Sequence, residues 1–308
     1  MSKTLDKRFK IKNLKQSTNT LHQLANTHIK KMNFSVLLSI YYKEQPAYLR
    51  LALDSVFSQT VRADEVVLVE DGQLTPELDA VIEEYQGQYP ELKVVKFEQN
   101  RGLGFALNDG LKACSYDVVA RMDTDDLAKP ERFEKQLKVL EEHPEIDLVT
   151  AWIEEFVDSP ENITAMRTLP ETPEELFNYG KSRCPANHPV TMYRKKAVLA
   201  VGGYQTSLFP EDYFLWIKML QNGSKFYCIQ ESLLFFRYAP ETIAKRGGWK
   251  YAKDELKIQW NIYKTGYVSF SRYLYNSVAK FTVRIMPLGI RRYIYQKLLR
   301  RPTPALPA

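Results

Sequence analysis

Short apolar runs and helix-spaced apolar residues alternate along residues 34–151 of this chain. Compact apolar runs predict five buried strands, at residues 34–40, 65–69, 93–97, 117–122 and 146–151. After Pro46, apolar residues recur at the spacing of one helix face: Leu49, Ala52, Leu53, Val56 and Phe57. Further helices are predicted after Thr75, after residues 100–104 and after Pro130. The alternation predicts an α/β fold with a mainly parallel, Rossmann-like sheet and helices on both faces.

Polar clusters follow three of the predicted strands. They are residues 41–44 (YYKE), 70–72 (EDG) and 123–126 (DTDD). In open parallel sheets, ligands bind beyond the carboxyl ends of the strands, which meet at one edge. We therefore expect the three clusters to lie close together and to form a ligand site.

Charge is distributed unevenly along the chain. The net charge is +6, yet residues 1–32 and 272–308 each carry eight Lys or Arg, and the residues between them carry more acids than bases. A nucleic-acid groove needs basic groups along its length, so nucleic acid is not an expected partner. The basic ends are expected to suit an anionic membrane surface instead.

Cysteine usage and apolar run lengths indicate the compartment. The three cysteines are far apart in the sequence, which argues against a disulfide framework or a zinc site. The N-terminal residues are polar and do not resemble a signal peptide, and no apolar run reaches the length of a membrane span. A cytoplasmic protein is expected, peripheral on the inner face of the membrane if the basic ends bind lipid.

The cluster 123–126 could bind a divalent cation. Asp123, Asp125 and Asp126 supply hard oxygen ligands, which Mg²⁺ and Mn²⁺ prefer, and no His or Cys lies beside them to favour zinc. Such a cation would neutralise the diphosphate of an activated sugar as it leaves. The alternative is a solvated acidic turn before the next helix.

Three further segments carry candidate chemistry. Asp212 follows Pro210 at the start of a predicted helix, and it could act as a general base or merely pair with the helix dipole. His188 lies in a loop, where it could contact the substrates or make an ordinary hydrogen bond. Arg246 lies in a Gly-containing segment that could close over a diphosphate or be a plain surface loop.

The C-terminal segment combines apolar and basic residues. Leu274, Val278, Phe281 and Ile285 form an apolar stripe at helical spacing, Pro287 and Gly289 are expected to end that helix, and residues 291–301 predict a second one. Amphipathic basic helices lie in membrane interfaces, whereas the alternative is packing on the α/β domain.

Seven stretches together resemble the family 2 glycosyltransferases of GT-A fold. They occur in the family's order: 34–44 (FSVLLSIYYKE), 66–72 (VVLVEDG), 100–110 (NRGLGFALNDG), 120–133 (ARMDTDDLAKPERF), 187–194 (NHPVTMYR), 202–204 (GGY) and 210–216 (PEDYFLW). The resemblance covers residues 33–235 and is strongest to bacterial enzymes of capsule, exopolysaccharide and O-antigen assembly, including the amylovoran type.

The resemblance implies a role for each matching position in donor binding. Tyr42 and Glu44 would lie near the base of the nucleotide, Asp71 would hold the uracil or ribose, and Arg101 would line the nucleotide pocket. The departure from the family pattern at residues 70–72, Glu-Asp-Gly in place of Asp-Asp-Gly, puts the ribose contacts in doubt.

The resemblance also implies which acids do the chemistry. Asp123 and Asp125 match the metal-binding DxD pair, Asp126 is an alternative ligand because the alignment is ambiguous by one position, and Asp212 matches the catalytic base. The implied activity is inverting transfer of one sugar from a nucleotide-sugar, with UDP favoured, to an acceptor such as a lipid-linked glycan. Mn²⁺ or Mg²⁺ is the implied cofactor.

Two other functions compete with this expectation. A sugar nucleotidyltransferase would favour a Gly-rich, Lys-containing loop after the first strand, where this chain has residues 41–44 (YYKE). A non-catalytic scaffold would be expected to lose its acids, which are present. The expected organisation is a polar extension at 1–32, a catalytic domain at 33–235 and, at 236–308, a flexible loop followed by basic amphipathic helices.

Overall fold

The computed structural model describes residues 32–204, 210–238 and 247–298, with side chains as far as residue 294. The predicted extension at 1–32 lies outside these residues except for Met32. The described part of the chain contains the following strands: β1 Phe34–Ile40, β2 Glu65–Glu70, β3 Leu92–Lys96, β4 Val118–Arg121, β5 Leu127–Ala128, β6 Ile146–Phe156, β7 Ile163–Arg167, β8 Met192–Arg194 and β9 Lys225–Arg237.

Helices follow most of these strands. The described helices are α1 Pro46–Phe57, α2 Pro76–Gln88, α3 Leu103–Ala113, α4 Arg132–Glu142, α5 Pro173–Gly180, α6 Lys195–Ala200, α7 Glu211–Gln221, α8 Trp249–Lys264, α9 Phe270–Ile285 and α10 Leu288–Leu298, with a 3₁₀ turn at His188–Val190. The five predicted strands and the four predicted helices between residues 34 and 151 are all present, with ends displaced by a few residues. The α/β class predicted from the sequence is confirmed.

The described strands form one mixed sheet in the order β3-β2-β1-β4-β8-β6-β9-β5, with β7 beside β6. The β1–β2, β1–β4 and β2–β3 pairs are parallel, as predicted. Beyond β4 the sheet is mixed: the short β8 pairs antiparallel with both β4 and β6, whereas β6 and β9 pair parallel along most of their length. The antiparallel insertion of β8 was not predicted, because a three-residue strand carries too weak an alternation to be recognised in the sequence.

Burial on both faces explains why the first strands are continuous apolar runs. Every residue of β2 is buried, as are six of the seven residues of β1. Helix α1 begins with a proline at its first turn and buries the predicted face, including Leu49, Leu53 and Phe57. Helix α2 is capped by Thr75, whose hydroxyl accepts a hydrogen bond from Leu78 N at 3.4 Å.

Helices α8 and α9 pack against each other after the sheet ends at Arg237. Helix α9 ends at Ile285 before Pro287, as predicted, whereas Gly289 lies inside α10 instead of ending a helix. Within the described residues, no helix is long and apolar enough to cross a membrane.

Candidate active site

A cavity of about 280 Å³ lies at the carboxyl edge of the parallel strands, and we call it the first pocket. It is lined by residues that follow β1, β2 and β4 together with the start of α3: Ser39, Ile40, Tyr41, Glu44, Asp71, Asn100, Gly102, Leu103, Asp123, Thr124 and Asp125. The three polar clusters that follow predicted strands therefore meet in one place. The parallel arrangement of β1, β2 and β4 causes this, since their carboxyl ends point the same way.

Asp71 fixes the rim of the first pocket. Its two carboxylate oxygens accept hydrogen bonds from the backbone N–H groups of Arg101 at 2.7 Å and Gly102 at 2.8 Å. The side chain of Asn100 donates to the Asp71 carbonyl oxygen at 3.0 Å. Asp71 thus holds the turn that opens α3, a structural contribution that the sequence did not predict, while still lining the pocket.

Arg121, the last residue of β4, is fully buried beneath the acidic cluster. Its guanidinium forms an ion pair with Asp123 and donates to the carbonyl oxygen of Met122. The sequence offered a signal for it, because an arginine interrupts an otherwise apolar strand. Asp123 therefore has a cation of the protein as its direct partner.

Glu44 and Asp125 face the first pocket, and burial and neighbouring acids shift the pKa of each. Burial and the charges of Asp125 and Asp123 raise the pKa of Glu44 to about 7. Burial and Asp123 likewise raise the pKa of Asp125 to about 6. Each shift means that the anionic form is disfavoured until a cation approaches.

This donor set fits Mg²⁺ or Mn²⁺. The pocket offers carboxylate oxygens from Asp125 and Glu44 and no nitrogen or sulfur ligand. Among the described residues, no group of three or more His, Cys, Asp or Glu side chains is arranged to hold a metal by itself. Mg²⁺ in nucleotide sites commonly takes one or two carboxylates and completes its shell with substrate phosphates and water.

The neighbouring acids Asp125 and Asp126 differ sharply in position. Asp125 lines the first pocket, whereas Asp126 is 0% exposed and accepts a hydrogen bond from the backbone N–H of Arg237 at 2.8 Å. Burial and the charge of Asp125 raise the pKa of Asp126 well above its usual value. The sequence left open whether Asp125 or Asp126 would bind the metal. In the structure Asp125 lines the pocket and Asp126 is buried beneath it.

Tyr42 and Arg101, which the sequence predicted to bind the donor, are not among the residues that line the first pocket. Tyr42 is 49% exposed, and its neighbour Tyr41 lines the pocket instead. The guanidinium of Arg101 lies over the rings of Phe97 and Phe105, at 4.7 and 4.9 Å from their centroids. Arg101 contributes its backbone N–H to the pocket rim through Asp71.

A larger cavity of about 360 Å³, the second pocket, contains the predicted base. Its lining comes from β7, the His188 turn, the start of α7, and helices α8 and α9: Arg167, Cys184, His188, Pro210, Glu211, Asp212, Tyr213, Tyr251, Glu255, Ile258, Lys280 and Arg284. The charge of Asp123 acts on the pKa of both His188 and Glu211, so the two pockets are neighbours. Arg246, the remaining predicted residue, lies outside the described residues.

Asp212 lies in the first turn of α7, as predicted. The thiol of Cys184 approaches its Oδ2 at 3.6 Å and the carbonyl oxygen of Ala186 at 3.3 Å. Burial raises the pKa of the adjacent Glu211. Asp212 thus lies in the second pocket with the Cys184 thiol as a hydrogen-bond partner.

His188 lines the second pocket, where its surroundings favour the neutral imidazole. Burial, together with the charge of Arg121, lowers its pKa to about 4. Its Nε2 lies 2.9 Å from the hydroxyl of Tyr204, and the backbone of Tyr204 is bound on both its N–H and C=O by the side chain of Asn108, at 2.8 and 2.9 Å. The motif 202–204 (GGY) therefore positions His188 through Tyr204.

The cations of the second pocket were missed by the sequence reasoning. Lys280 and Arg284 are one turn apart on α9, and both approach the buried carboxylate of Glu255 on α8. A basic pair at this spacing, beside the apolar stripe of the same helix, was a signal in the sequence. The pairing with Glu255 and the nearness to Asp212 depend on tertiary packing.

The fold and the two pockets define a glycosyltransferase with a GT-A-like fold. Residues 35–202 match Glycosyl transferase family 2, and the chain belongs to that family. It is 38% identical to the UDP-Gal:alpha-D-GlcNAc-diphosphoundecaprenol beta-1,3-galactosyltransferase of Escherichia coli, over 87% of this chain and 97% of that protein. It is 37% identical to the amylovoran biosynthesis glycosyltransferase AmsE of Erwinia amylovora, over 86% of this chain and 98% of that protein.

Solved structures resemble the chain in fold. TarS 1-349 of S. aureus in complex with UDP-GlcNAc has a TM-score of 0.59 at 19% identity, over 87% of this chain and 74% of that one. The mannosyltransferase PcManGT of Pyrobaculum calidifontis in complex with GDP-Man and Mn²⁺ also has a TM-score of 0.59, at 15% identity, over 88% of this chain and 83% of that one. At these identities the likeness concerns the fold.

Proposed function

We propose that this glycosyltransferase moves one sugar from a nucleoside-diphosphate sugar, with UDP as the favoured nucleotide, to a hydroxyl of a lipid-linked glycan, inverting the anomeric carbon. The observation that carries the proposal is the juxtaposition of an acid-lined pocket at the carboxyl edge of the sheet with a second pocket that contains Asp212. The first pocket suits the nucleotide and its diphosphate, and the second suits the acceptor.

In the first pocket, Asp71 and Asn100 would shape the nucleotide end. Asp71 holds the backbone of residues 101 and 102 in place, so the pocket rim is formed before the donor binds. Tyr41 offers an aromatic surface beside it. Asp123 would accept hydrogen bonds from the donor, since an ion pair with the buried guanidinium of Arg121 sets its position.

Asp125 is the ligand we propose for Mn²⁺ or Mg²⁺, with Glu44 close enough for its pKa to respond to Asp125. The buried Asp126 supports the turn from beneath. When bound, the metal would neutralise the charge of the departing diphosphate. One protein carboxylate is then enough for the remaining proton transfer.

Asp212 is the base we propose. As the acceptor oxygen forms its bond to the anomeric carbon, the hydroxyl proton passes to the Asp212 carboxylate. The bond between that carbon and the diphosphate oxygen breaks on the opposite face, and the electron pair leaves with the nucleoside diphosphate. Attack opposite the leaving group inverts the configuration of the sugar.

Helix α9 supports an acceptor that is attached to a membrane lipid. Part of its apolar stripe faces outward: Leu274 is 52% exposed and Val278 60% exposed, while Asn276 and Ser277 are buried. Arg272 lies over the ring of Tyr275, which is also exposed. A helix that presents apolar and basic side chains outward is typical of contact with a membrane interface. The E. coli relative, by its name, acts on a diphosphoundecaprenol-linked sugar.

Incubation with a panel of UDP- and GDP-sugars, Mn²⁺ and a synthetic α-GlcNAc-diphosphate-lipid tests the proposal. We expect transfer of a single sugar from a UDP-sugar, with an anomeric configuration in the product, read by NMR, opposite to that of the donor. A product of retained configuration would refute the inverting mechanism. Donor hydrolysis without transfer to any lipid-linked acceptor would refute the acceptor class.

Substitution of the two adjacent acids tests the base. Asp212→Asn removes the proton acceptor, and we expect it to lower kcat by about 10²–10⁴-fold while the Kd of UDP is retained. Glu211→Gln leaves Asp212 in place and is expected to retain most of the transfer. If Glu211→Gln lost transfer while Asp212→Asn retained it, Glu211 would be the base instead.

A further inference from the structure

Arg237, the last residue of β9, lies beside the acidic turn at residues 123–126, and the proposed transfer leaves it without a role. The sheet itself brings it there. Strand β5, which follows the acidic turn directly, pairs with β9 through Leu127 opposite Phe235 and Ala128 opposite Leu234. Because this pairing fixes the two backbones to each other, the end of β9 runs alongside the acidic turn.

Two hydrogen bonds join Arg237 to the acidic turn. Its backbone N–H donates to Oδ1 of Asp126 at 2.8 Å, and its side-chain Nε donates to the carbonyl oxygen of Asp125 at 3.0 Å. Neither bond has the Asp125 carboxylate as its acceptor, and Asp125 lines the first pocket. Arg237 therefore holds the backbone of Asp125 without covering the group that faces the pocket.

Aromatic rings hold the guanidinium of Arg237 in place. It lies over the ring of Tyr48 at 3.8 Å from the centroid and over the ring of Phe156 at 4.6 Å. Tyr48 belongs to α1, four residues after the pocket-lining Glu44, and Phe156 is fully buried at the end of β6. A guanidinium packed on rings is restricted in its rotation, so the direction of its Nε–H is set before any ligand binds.

The charge of Arg237 does not explain this arrangement. Burial and the charge of Asp123 raise the pKa of Asp125, whereas the charge of Arg237 acts in the opposite direction. A cation at this distance also repels a divalent cation that binds to Asp125. With the carboxylates ionised, a purely electrostatic role would oppose metal binding, whereas a role in positioning would favour it. The two roles thus have opposite signs.

We propose that Arg237 is a positioning residue for the metal site, holding the backbone at Asp125 so that its carboxylate meets Mn²⁺ or Mg²⁺ and the donor diphosphate, an assignment that rests on the proposed function. Arg237 itself contacts neither the metal nor the donor. Replacement of residues that orient metal ligands typically changes metal affinity by about 10–100-fold. A lysine cannot replace the arginine, because it lacks the planar group that donates through Nε while lying on the rings.

Calorimetry of UDP binding, with Mn²⁺ and with EDTA, tests the assignment at a pH of about 8, where the Asp125 carboxyl, with its pKa of about 6, is ionised. Arg237→Met keeps the aliphatic stem and the backbone bond to Asp126, so the fold is expected to survive. We expect it to raise the Kd of UDP with Mn²⁺ by about tenfold or more and to leave the Kd with EDTA unchanged. Arg237→Lys, which retains the charge, should do the same.

The sign of the change decides between the two roles. If Arg237 acted through its charge, Arg237→Met would weaken UDP binding in EDTA and leave the tightening by Mn²⁺ intact or enlarge it, and this pattern would overturn the assignment. Wild-type Kd values in Arg237→Lys would also overturn it, because the charge alone would then suffice.

Lys129→Met is the matched control. Lys129 follows β5, where its ammonium pairs with Glu154 at 2.7 Å and lies over the ring of Phe235 at 4.6 Å, and it does not line the first pocket. The variant removes a cation from the same pair of strands and should leave the Kd of UDP with Mn²⁺ unchanged. A rise equal to that in Arg237→Met would indicate general loosening of β5 and β9, and the assignment would fall.

Transfer assays separate positioning from a change of fold. With Mn²⁺, Arg237→Met should lower kcat/KM for the donor by about tenfold or more and leave KM for the lipid-linked acceptor unchanged, since the acceptor is assigned to the second pocket. An equal loss for both substrates would contradict the assignment. UDP binding by the wild type that does not respond to Mn²⁺ would refute the proposed metal site, whereas failure of this inference alone would show as wild-type Kd values in Arg237→Met.

Discussion

Gly72 offers the sharpest test of how the first pocket is built. It has a φ of +90°, and a Cβ at this position would lie 2.6 Å from the backbone N of Asn100 and 3.0 Å from the carbonyl carbon of Gln99. The turn after β2 and the turn before α3 therefore touch backbone to backbone. Asp71 and Asn100, on either side of this contact, both line the pocket.

Gly72→Ala combines two penalties. The positive φ costs about 1–3 kcal/mol for a residue with a Cβ. The overlap is with backbone, which cannot rotate away, and forced backbone shifts cost about 1–3 kcal/mol more. The sum of about 2–6 kcal/mol corresponds to a fall in Tm of roughly 5–20 °C for a chain of this size. Displacement of Asn100 should also weaken UDP binding.

Two other glycines separate the backbone penalty from the penalty of steric overlap. Gly102 has a φ of +92° with no atom within 4 Å of its Cβ position, so Gly102→Ala should incur only the backbone penalty of about 1–3 kcal/mol. Gly87 lies on the exposed side of α2 with open space around it, so Gly87→Ala should stabilise by about 0.5–1 kcal/mol. Thermal unfolding and UDP calorimetry of the three variants provide the test. If Gly72→Ala were no less stable than Gly102→Ala, the close approach between the two turns would be refuted.

Three further variants test other parts of the molecule. Asp125→Ala should abolish the Mn²⁺ dependence of UDP binding measured by calorimetry; unchanged dependence would remove it as a ligand. Replacement of Leu274 and Val278 by Ser should release the protein from anionic vesicles in a flotation assay without lowering Tm, since both side chains are exposed; a fall in Tm would instead indicate packing within the protein. Burial alone would raise the pKa of Glu65, but hydrogen bonds from Lys93, Ser35 and Ser115 lower it to about 2. The ionised carboxylate therefore stabilises the fold fully above the ordinary pKa of a glutamate. This stabilisation is lost as the pH falls towards 2. Glu65→Gln should cost about 1–3 kcal/mol of unfolding free energy in urea at pH 7 and almost nothing near pH 2; a gap independent of pH would contradict this.

Glu65 illustrates what a strand pattern conceals. It is the first residue of β2 and is buried, where it accepts hydrogen bonds from Ser35 at 2.5 Å, from Lys93 at 2.5 Å and from both the N–H and the hydroxyl of Ser115, each at 2.7 Å. In the sequence it is an acid at the edge of an apolar run. Its partners are 28 to 50 residues away, so only the packed sheet identifies it as a structural carboxylate.

For the acidic cluster at residues 123–126, the sequence predicted the location but not the surroundings of each acid. Its location after β4 followed from the sequence, because an apolar run that ends in polar residues is a strand that ends at a sheet edge. The different environments of Asp123, Asp125 and Asp126 did not follow. They depend on the buried guanidinium of Arg121 beneath the first, on the open pocket before the second and on the backbone of Arg237 beside the third.

In helix α9 the apolar stripe does not face the protein as it does in most surface helices. The sequence predicted an amphipathic α9 and left open whether its apolar stripe packs inward or faces a membrane. The stripe faces outward at Leu274 and Val278, and the polar face packs inward through Asn276, which donates to the carbonyl oxygen of Lys181 at 2.8 Å. The spacing of apolar residues predicts that the two faces of a helix differ, but it does not predict which face packs against the protein.

The sequence by itself determined the α/β class, the order of the first elements, the edge of the sheet where the polar clusters meet and the family to which the chain belongs. These properties depend on local periodicity and on short motifs, which are written in consecutive residues. The tertiary structure decided the mixed second half of the sheet, the separate environments of the three aspartates and the gathering of Arg167, Lys280 and Arg284 beside Asp212. Those properties depend on contacts between residues up to about a hundred positions apart, and no local pattern encodes such distances.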